Sequence, residues 1–192
     1  MSNATRDTTH QLVIDAPAGL VFTLLRSSSH WPDLEGLTVY AEQISGDDLA
    51  HETRISVAAH GGITSTNFQR VIDPERRRIH FKHSSPDAPT LRTAGSWQVD
   101  DATQRPSTGP ASSVVTLNHE YQVEDSSAEV QAWILETIDE YAQRELEALR
   151  RSCERLASLM KEHAGADEPR MNPAAIEIVA QPDSDPDTAT AT

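Results

Sequence analysis

Arg70 stands in the stretch STNFQRVI, which reads as a strand. Side chains alternate between the two faces of a strand, so Thr66, Phe68, Arg70 and Ile72 share one face. Its neighbours make that face apolar. A guanidinium there is either paired, or it faces a cavity that needs a fixed cation and its fork of donors. The same alternation turns His83 of RRRIHFKHS, and His119 and Tyr121 of VVTLNHEYQV, toward the same interior. A helical segment adds Tyr141. Imidazole and phenol can each donate or accept a hydrogen. A uniform core would not use such groups, whereas a cavity dotted with polar side chains would.

Each of these residues also has a plainer reading. Arg70 can pair with a helix acid such as Glu145, and His119 can be a satisfied core histidine. His83 lies near a strand end and suits the surface. Tyr121 and Tyr141 suit packing, and Trp97 suits a cavity wall or the core. Arg76, Arg77 and Arg78 suit a solvated hairpin tip. Cys153 falls on the apolar side of a helix and reads as inert.

The elements that must position these groups follow from periodicity. HQLVID alternates and reads as a strand, followed by a short helix, AGLVFTLLRSS, that buries Val21, Phe22, Leu24 and Leu25. Pro32 breaks that helix in SHWPDL. LTVYAEQIS, HETRISVAAH, ITSTNFQRVI, RRRIHFKHS, TLRTAGSWQVD and SVVTLNHEYQVE read as further strands. Gly46-Asp47-Asp48, Gly61-Gly62 and Asp73-Pro74 mark turns between them. From Ser127 to about His163 there is no proline or glycine, and Val130, Ile134, Ile138, Tyr141, Leu146, Leu149, Cys153, Leu156 and Met160 recur at helical spacing. The order predicts an α+β domain: a curved antiparallel sheet with one long C-terminal helix across it. A gap between sheet and helix would be a ligand cavity. In the hairpin, Phe68, Arg70 and Ile72 should face inward opposite Ile79, Phe81 and His83.

Composition narrows the function further. The chain has 192 residues and a formal charge of −14, which argues against nucleic acid and anionic membrane surfaces. Part of that charge belongs to residues 164–192, with six acids and one base, which read as a disordered acidic tail. Residues 1–8 read as a flexible N-terminus and 9–163 as the domain. No apolar run is long enough to span a bilayer, no signal-peptide core is present, and a single cysteine excludes an internal disulfide. A cytoplasmic protein is the expectation. Metal-ligand spacing, Gly-rich phosphate loops and G-x-S-x-G are missing from the sequence, so nothing points to a metal, nucleotide or redox cofactor.

The stretches IDAPAGLVFTLL, HWPDL, RVIDPERRRIHFKH, TAGSWQV, VTLNHEYQVEDSS and WILETIDEYAQRELEALRRSCE resemble the aromatase/cyclase family of aromatic polyketide biosynthesis. That family lies within the START-like, helix-grip (Bet v 1-like) superfamily. The likeness covers roughly residues 10–155 and is to one half of the two-domain members. It implies a seven-stranded antiparallel sheet around the long helix, with a deep internal cavity. It also implies a cofactor-free reaction: regiospecific aldol cyclisation and dehydration of a poly-β-ketone held on an acyl carrier protein, among other synthase components. Arg70 matches the family's cavity arginine, which would hold carbonyls and stabilise an enolate. His119, Tyr121 or Tyr141 would move the proton. Trp31, Thr66, Phe68, Phe81, His83, Trp97, Ile134 and Ile138 would line the cavity. Arg76, Arg78 and Lys82 point outward on one hairpin strand and would receive the acidic carrier near the cavity mouth. The family commonly has Trp and Ser where this chain has Thr66 and Phe68, and Asn-Ser where it has Tyr141-Ala142, which changes cavity volume and polarity. A START-like binding protein or chaperone for a hydrophobic small molecule is the alternative the same residues allow.

Overall fold

The computed structural model describes residues 5–34, 38–59, 62–84, 91–102, 111–123 and 127–166. The acidic segment beyond 166 lies outside them, as do residues 1–4. Seven strands form one antiparallel sheet: β1 (Thr5–Ile14), β2 (Thr38–Gly46), β3 (Ala50–Ala59), β4 (Gly62–Asp73), β5 (Arg78–His83), β6 (Leu91–Asp101) and β7 (Ser113–Val123). The spatial order is β1-β7-β6-β5-β4-β3-β2, so consecutive strands pair from β2 onward and β7 returns to meet β1. A short helix, α1 (Ala18–Arg26), follows β1, and a long helix, α2 (Ala128–Ala166), ends the described chain. No helix among the described residues is long and apolar enough to cross a membrane.

Two boundaries differ from the sequence reading. β1 begins at Thr5, so residues 5–8, expected to be flexible, are paired with β7. Their side chains are mostly polar and exposed, and the strand is specified by backbone pairing rather than by apolar alternation. Pro32 does not simply end helical structure. A 3₁₀ segment, Ser28–Asp33, carries the chain past it and buries Ser28 and Trp31.

The β4–β5 register matches the expected faces. Phe68 opposes His83, Arg70 opposes Phe81, and Ile72 opposes Ile79. The turn residue Arg77 adopts φ 49°, and Gly46 at the β2–β3 turn adopts φ 93°, where a side chain would meet the Ala50 carbonyl.

The core is in two parts. The larger joins Ile14, Val21, Leu25, Ile79, Trp97, Val115 and Leu117 to the middle of α2 through Ala142, Leu146, Leu149 and Cys153. The smaller joins Tyr121 to Ile134 and Ile138 in the first half of α2. Helix and sheet therefore meet at two places, and the space between them is left to other residues.

Candidate active site

A pocket of about 330 Å³ occupies that space. β3 lines it with Ile55 and Val57, and β4 with Thr64, Thr66, Phe68 and Arg70. Phe81, Thr93, Trp97 and His119 come from the next three strands, and Trp31 from the 3₁₀ segment. From α2 come Thr137, Ile138, Tyr141 and Glu145. Thr137, Tyr141 and Glu145 follow one another at intervals of four, which puts them on one helix face. A much smaller space, about 30 Å³, lies behind Trp31, Trp97 and Glu145, toward Leu34 and Thr38.

Arg70 is both paired and at the pocket. It is 2 % exposed. Its Nη2 donates to the Leu25 carbonyl at 2.6 Å and its Nη1 to the Arg26 carbonyl at 3.3 Å. The Trp31 Nε1 donates to the Leu24 carbonyl at 3.3 Å. Three successive carbonyls of the last turn of α1, which the helix itself leaves open, thus find donors. A cation at a helix C-terminus is favoured by the helix dipole as well. The guanidinium also lies over the Trp31 ring, 5.1 Å from its centroid. Burial lowers its pKa to about 10, so it stays charged at neutral pH. Its partners are carbonyls and not Glu145, the acid that the sequence offered.

Glu145 is the site residue that sequence reasoning missed in its own right. It faces the pocket, where apolar walls penalise its charge and push its pKa up to about 7. Its accessible area is intermediate because it lines the pocket. The spacing of four from Tyr141 was the available signal. The Tyr141 hydroxyl is enclosed without a partner among the described residues, and burial, with Glu145 nearby, raises its pKa.

His119 meets the edge of Phe81, with ring centroids 5.6 Å apart. Burial lowers its pKa to about 4, helped by the neighbouring His10 and opposed by Asp139, so the ring is neutral at neutral pH.

Of the residues the sequence singled out, Arg70, His119, Tyr141, Trp31, Thr66, Phe68, Phe81, Trp97 and Ile138 line the pocket. Three do not. Tyr121 is 2 % exposed and is sealed between Ile134 and Ile138, because it lies one inward position past His119 and under the first turns of α2. Ile134 is spent on that seal. His83 lies at the strand end against Phe68, with ring centroids 5.7 Å apart and planes tilted by 60°, outside the lining, and burial lowers its pKa. Ile55, Val57, Thr64, Thr93 and Thr137 complete the walls; strand alternation and the helical spacing could have supplied them.

Arg76, Arg78 and Lys82 are exposed, as expected. The two arginines are not among the residues that line the pocket. They lie past Ile72 and Ile79, core residues that close this end of the hairpin, whereas the pocket runs along β4 from Thr64 to Arg70. Arg76 is also paired with Asp73 at 3.2 Å, and Arg78 donates to Gln98 at 2.7 Å. Lys82, opposite Gln69, stands on the outer face beside the pocket.

A granaticin polyketide synthase bifunctional cyclase/dehydratase of Streptomyces virginiae is 32% identical over 148 residues, which is 76% of this chain and 45% of the relative. The crystal structure of BexL, a di-domain aromatase/cyclase of the BE-7585A pathway, superposes with a TM-score of 0.64 at 27% identity, over 76% of this chain and 45% of BexL. The chain is a homologue of the polyketide aromatase/cyclases. It corresponds to one half of their two-domain members, and spans less than half the length of these relatives. The fold of this aromatase/cyclase homologue is also that of ZhuI from Streptomyces sp. R1128, with a TM-score of 0.68 at 19% identity over 79% of this chain and 95% of ZhuI. No protein-family model matches the chain.

Proposed function

We propose that this aromatase/cyclase homologue catalyses an intramolecular aldol cyclisation and dehydration of a poly-β-ketone delivered on an acyl carrier protein. The observation that carries the reading is the pairing, in one apolar pocket, of a carboxyl poised near neutrality with a buried permanent cation.

Glu145, half ionised near pH 7, takes a proton from a carbon flanked by two carbonyls. The charge that develops on the enolate oxygen is favoured by the Arg70 side of the pocket, where the guanidinium is held fixed by the α1 carbonyls and needs no reorganisation. The walls fold the chain so that this carbon lies against a ketone further along it. Carbon–carbon bond formation leaves an alkoxide, which is protonated by the Tyr141 phenol or by Glu145. Loss of a second carbon-bound proton and of hydroxide, the latter protonated as it leaves, releases water, and enolisation of the remaining ring ketones completes the aromatic ring. Closure and dehydration together are redox-neutral. Neutral His119 accepts a hydrogen bond from an enol or hydroxyl group of the chain. Thr64, Thr66, Thr93 and Thr137 give further polar points on otherwise apolar walls.

Reconstitution with a minimal polyketide synthase tests the reading. Adding the protein should shift the products toward one cyclised, dehydrated ring, and Glu145→Gln should abolish that shift while the protein remains folded. If the protein binds the intermediates yet leaves the product distribution unchanged, it is a binding protein and not a cyclase.

A further inference from the structure

Three enclosed polar atoms that find no partner among the described residues lie on neighbouring positions where β1 meets β7: Thr8 Oγ1, His10 Nδ1 and His119 Nδ1. Thr8 is the register partner of His119, and His10 lies two residues along the same inward face. An unpaired buried polar atom costs about 1–3 kcal/mol, so three in one patch need an explanation.

The far side of His10 is already committed. Its Nε2 lies 3.1 Å from Asp139 Oδ1 on α2. A carboxylate only accepts, so this nitrogen carries the hydrogen. In neutral His10, Nδ1 is then a bare acceptor turned to the enclosed side. His119 is the mirror case: its ring lines the inner pocket, while its Nδ1 is shut away from solvent. His10 lines a groove on the outer surface with Gln11, Glu140 and Arg144. The two rings therefore bridge the seam between the pocket and the outside.

We infer that His10, held by Asp139, fixes the tautomer of His119. The Nδ1–H of His119 donates to one enclosed water, which in turn donates to His10 Nδ1 and has Thr8 Oγ1 as its third partner. Nε2 of His119 is left bare and presents an acceptor to the pocket, suited to an enol or the hydroxyl of an aldol adduct. The chain Asp139–His10–His119 resembles in logic the carboxylate that orients a catalytic imidazole, with one ring interposed. His10 and Asp139 are positioning residues that do not touch substrate. The functional meaning rests on the cyclase reading above, but the tautomer itself does not.

The decisive measurement is ¹⁵N NMR of the imidazoles in the full chain at pH 7. His119 should be protonated at Nδ1 and bare at Nε2, and His10 protonated at Nε2. His10→Phe keeps a ring and removes the acceptor; it should convert His119 to a mixture or to the Nε2–H form. His10→Asn, whose amide oxygen can take the place of Nδ1, should restore the original form. In the reconstituted reaction His10→Phe should lower turnover about tenfold with little change in substrate affinity. A wild-type His119 carrying its hydrogen on Nε2 overturns the inference without any variant, and so does an unchanged tautomer in folded His10→Phe. A confirmed tautomer with no effect of His119 substitution on products would instead count against the cyclase reading.

Discussion

The Arg70 guanidinium lies over the Trp31 ring, 5.1 Å from its centroid, while both side chains close the last turn of α1. The pocket wall and the end of the helix are thus one structure. Arg70→Ala leaves the Leu25 and Arg26 carbonyls without donors in a buried place, which should cost about 2–3 kcal/mol. Arg70→Lys keeps the charge but not the planar fork and should fall between the two. Urea denaturation of the three proteins checks this order. Equal stability of Arg70→Ala and the parent would show that the helix end has another cap.

Glu145 and His119 should pull stability in opposite directions with pH. Glu145 has its folded pKa raised from 4.5 to about 7, so its contribution to stability is present below 4.5 and is lost as pH rises to about 7. His119 has its folded pKa lowered from 6.5 to about 4, so its contribution is present above 6.5 and is lost as pH falls to about 4. Each amounts to at most about 3 kcal/mol. Between pH 4.5 and 6.5 the two slopes offset. Glu145→Gln should unmask a stability that rises with pH through this window, and His119→Gln one that falls. The double variant should be flat again. Melting temperatures across pH 4.5–6.5 test the set, and parallel curves for all four proteins would disprove both shifts.

In the proposed reaction the same carboxyl sets a limit on the rate. As the base, Glu145 must be ionised, so cyclisation should rise with pH through about 7 and level off above it. Glu145→Gln should lower the rate by about 10²–10⁴-fold and remove this limb. A retained limb in Glu145→Gln would move the role of base to another group.

Cys153 is fully buried, and burial with Glu154 nearby pushes its thiol pKa up to about 12. The thiolate is the reactive form, so a thiol reagent at pH 8 should modify the folded protein only as fast as it opens. A labelling rate that ignores added denaturant below the unfolding transition and matches a free thiol would contradict this burial.

Much of the sheet was legible because alternation is a local property. The pairs Phe68–His83, Arg70–Phe81 and Ile72–Ile79 follow from the Asp73-Pro74 turn and the apolar face alone. Two kinds of information were not local. Residues 5–8 join the sheet through backbone bonds to β7, which apolar patterning does not record. The partners of Arg70 are main-chain carbonyls, which every residue possesses and no sequence marks, so a side-chain acid was the natural guess. Glu145 was hidden for a related reason. The sequence offered it only as a counter-ion for Arg70, and nothing in an acid-rich helix marks which glutamate faces a pocket until the neighbouring sheet is in place. His10 and His119 are 109 positions apart in the chain, and only the closing of β1 on β7 brings their strands side by side.

Gly95 is where the pocket depends on a missing side chain. It sits opposite Phe81 on one side and His119 on the other. A Cβ there would lie 2.6 Å from the Phe81 ring and 2.1 Å from the Asn118 carbonyl. The ring could turn, but the carbonyl belongs to β7 and can move only with the strand. Gly95→Ala should therefore destabilise the protein by about 1–3 kcal/mol and disturb the Phe81–His119 edge contact. Gly19 is the control. Nothing lies within 4 Å of a Cβ built at that helical position, so Gly19→Ala should stabilise by about 0.5–1 kcal/mol through helix propensity. Chemical denaturation gives both signs, and the His119 ring resonances report whether Phe81 has moved. A Gly95→Ala protein as stable as the parent, with unshifted His119 resonances, would mean that β6 and β7 are further apart than this register requires.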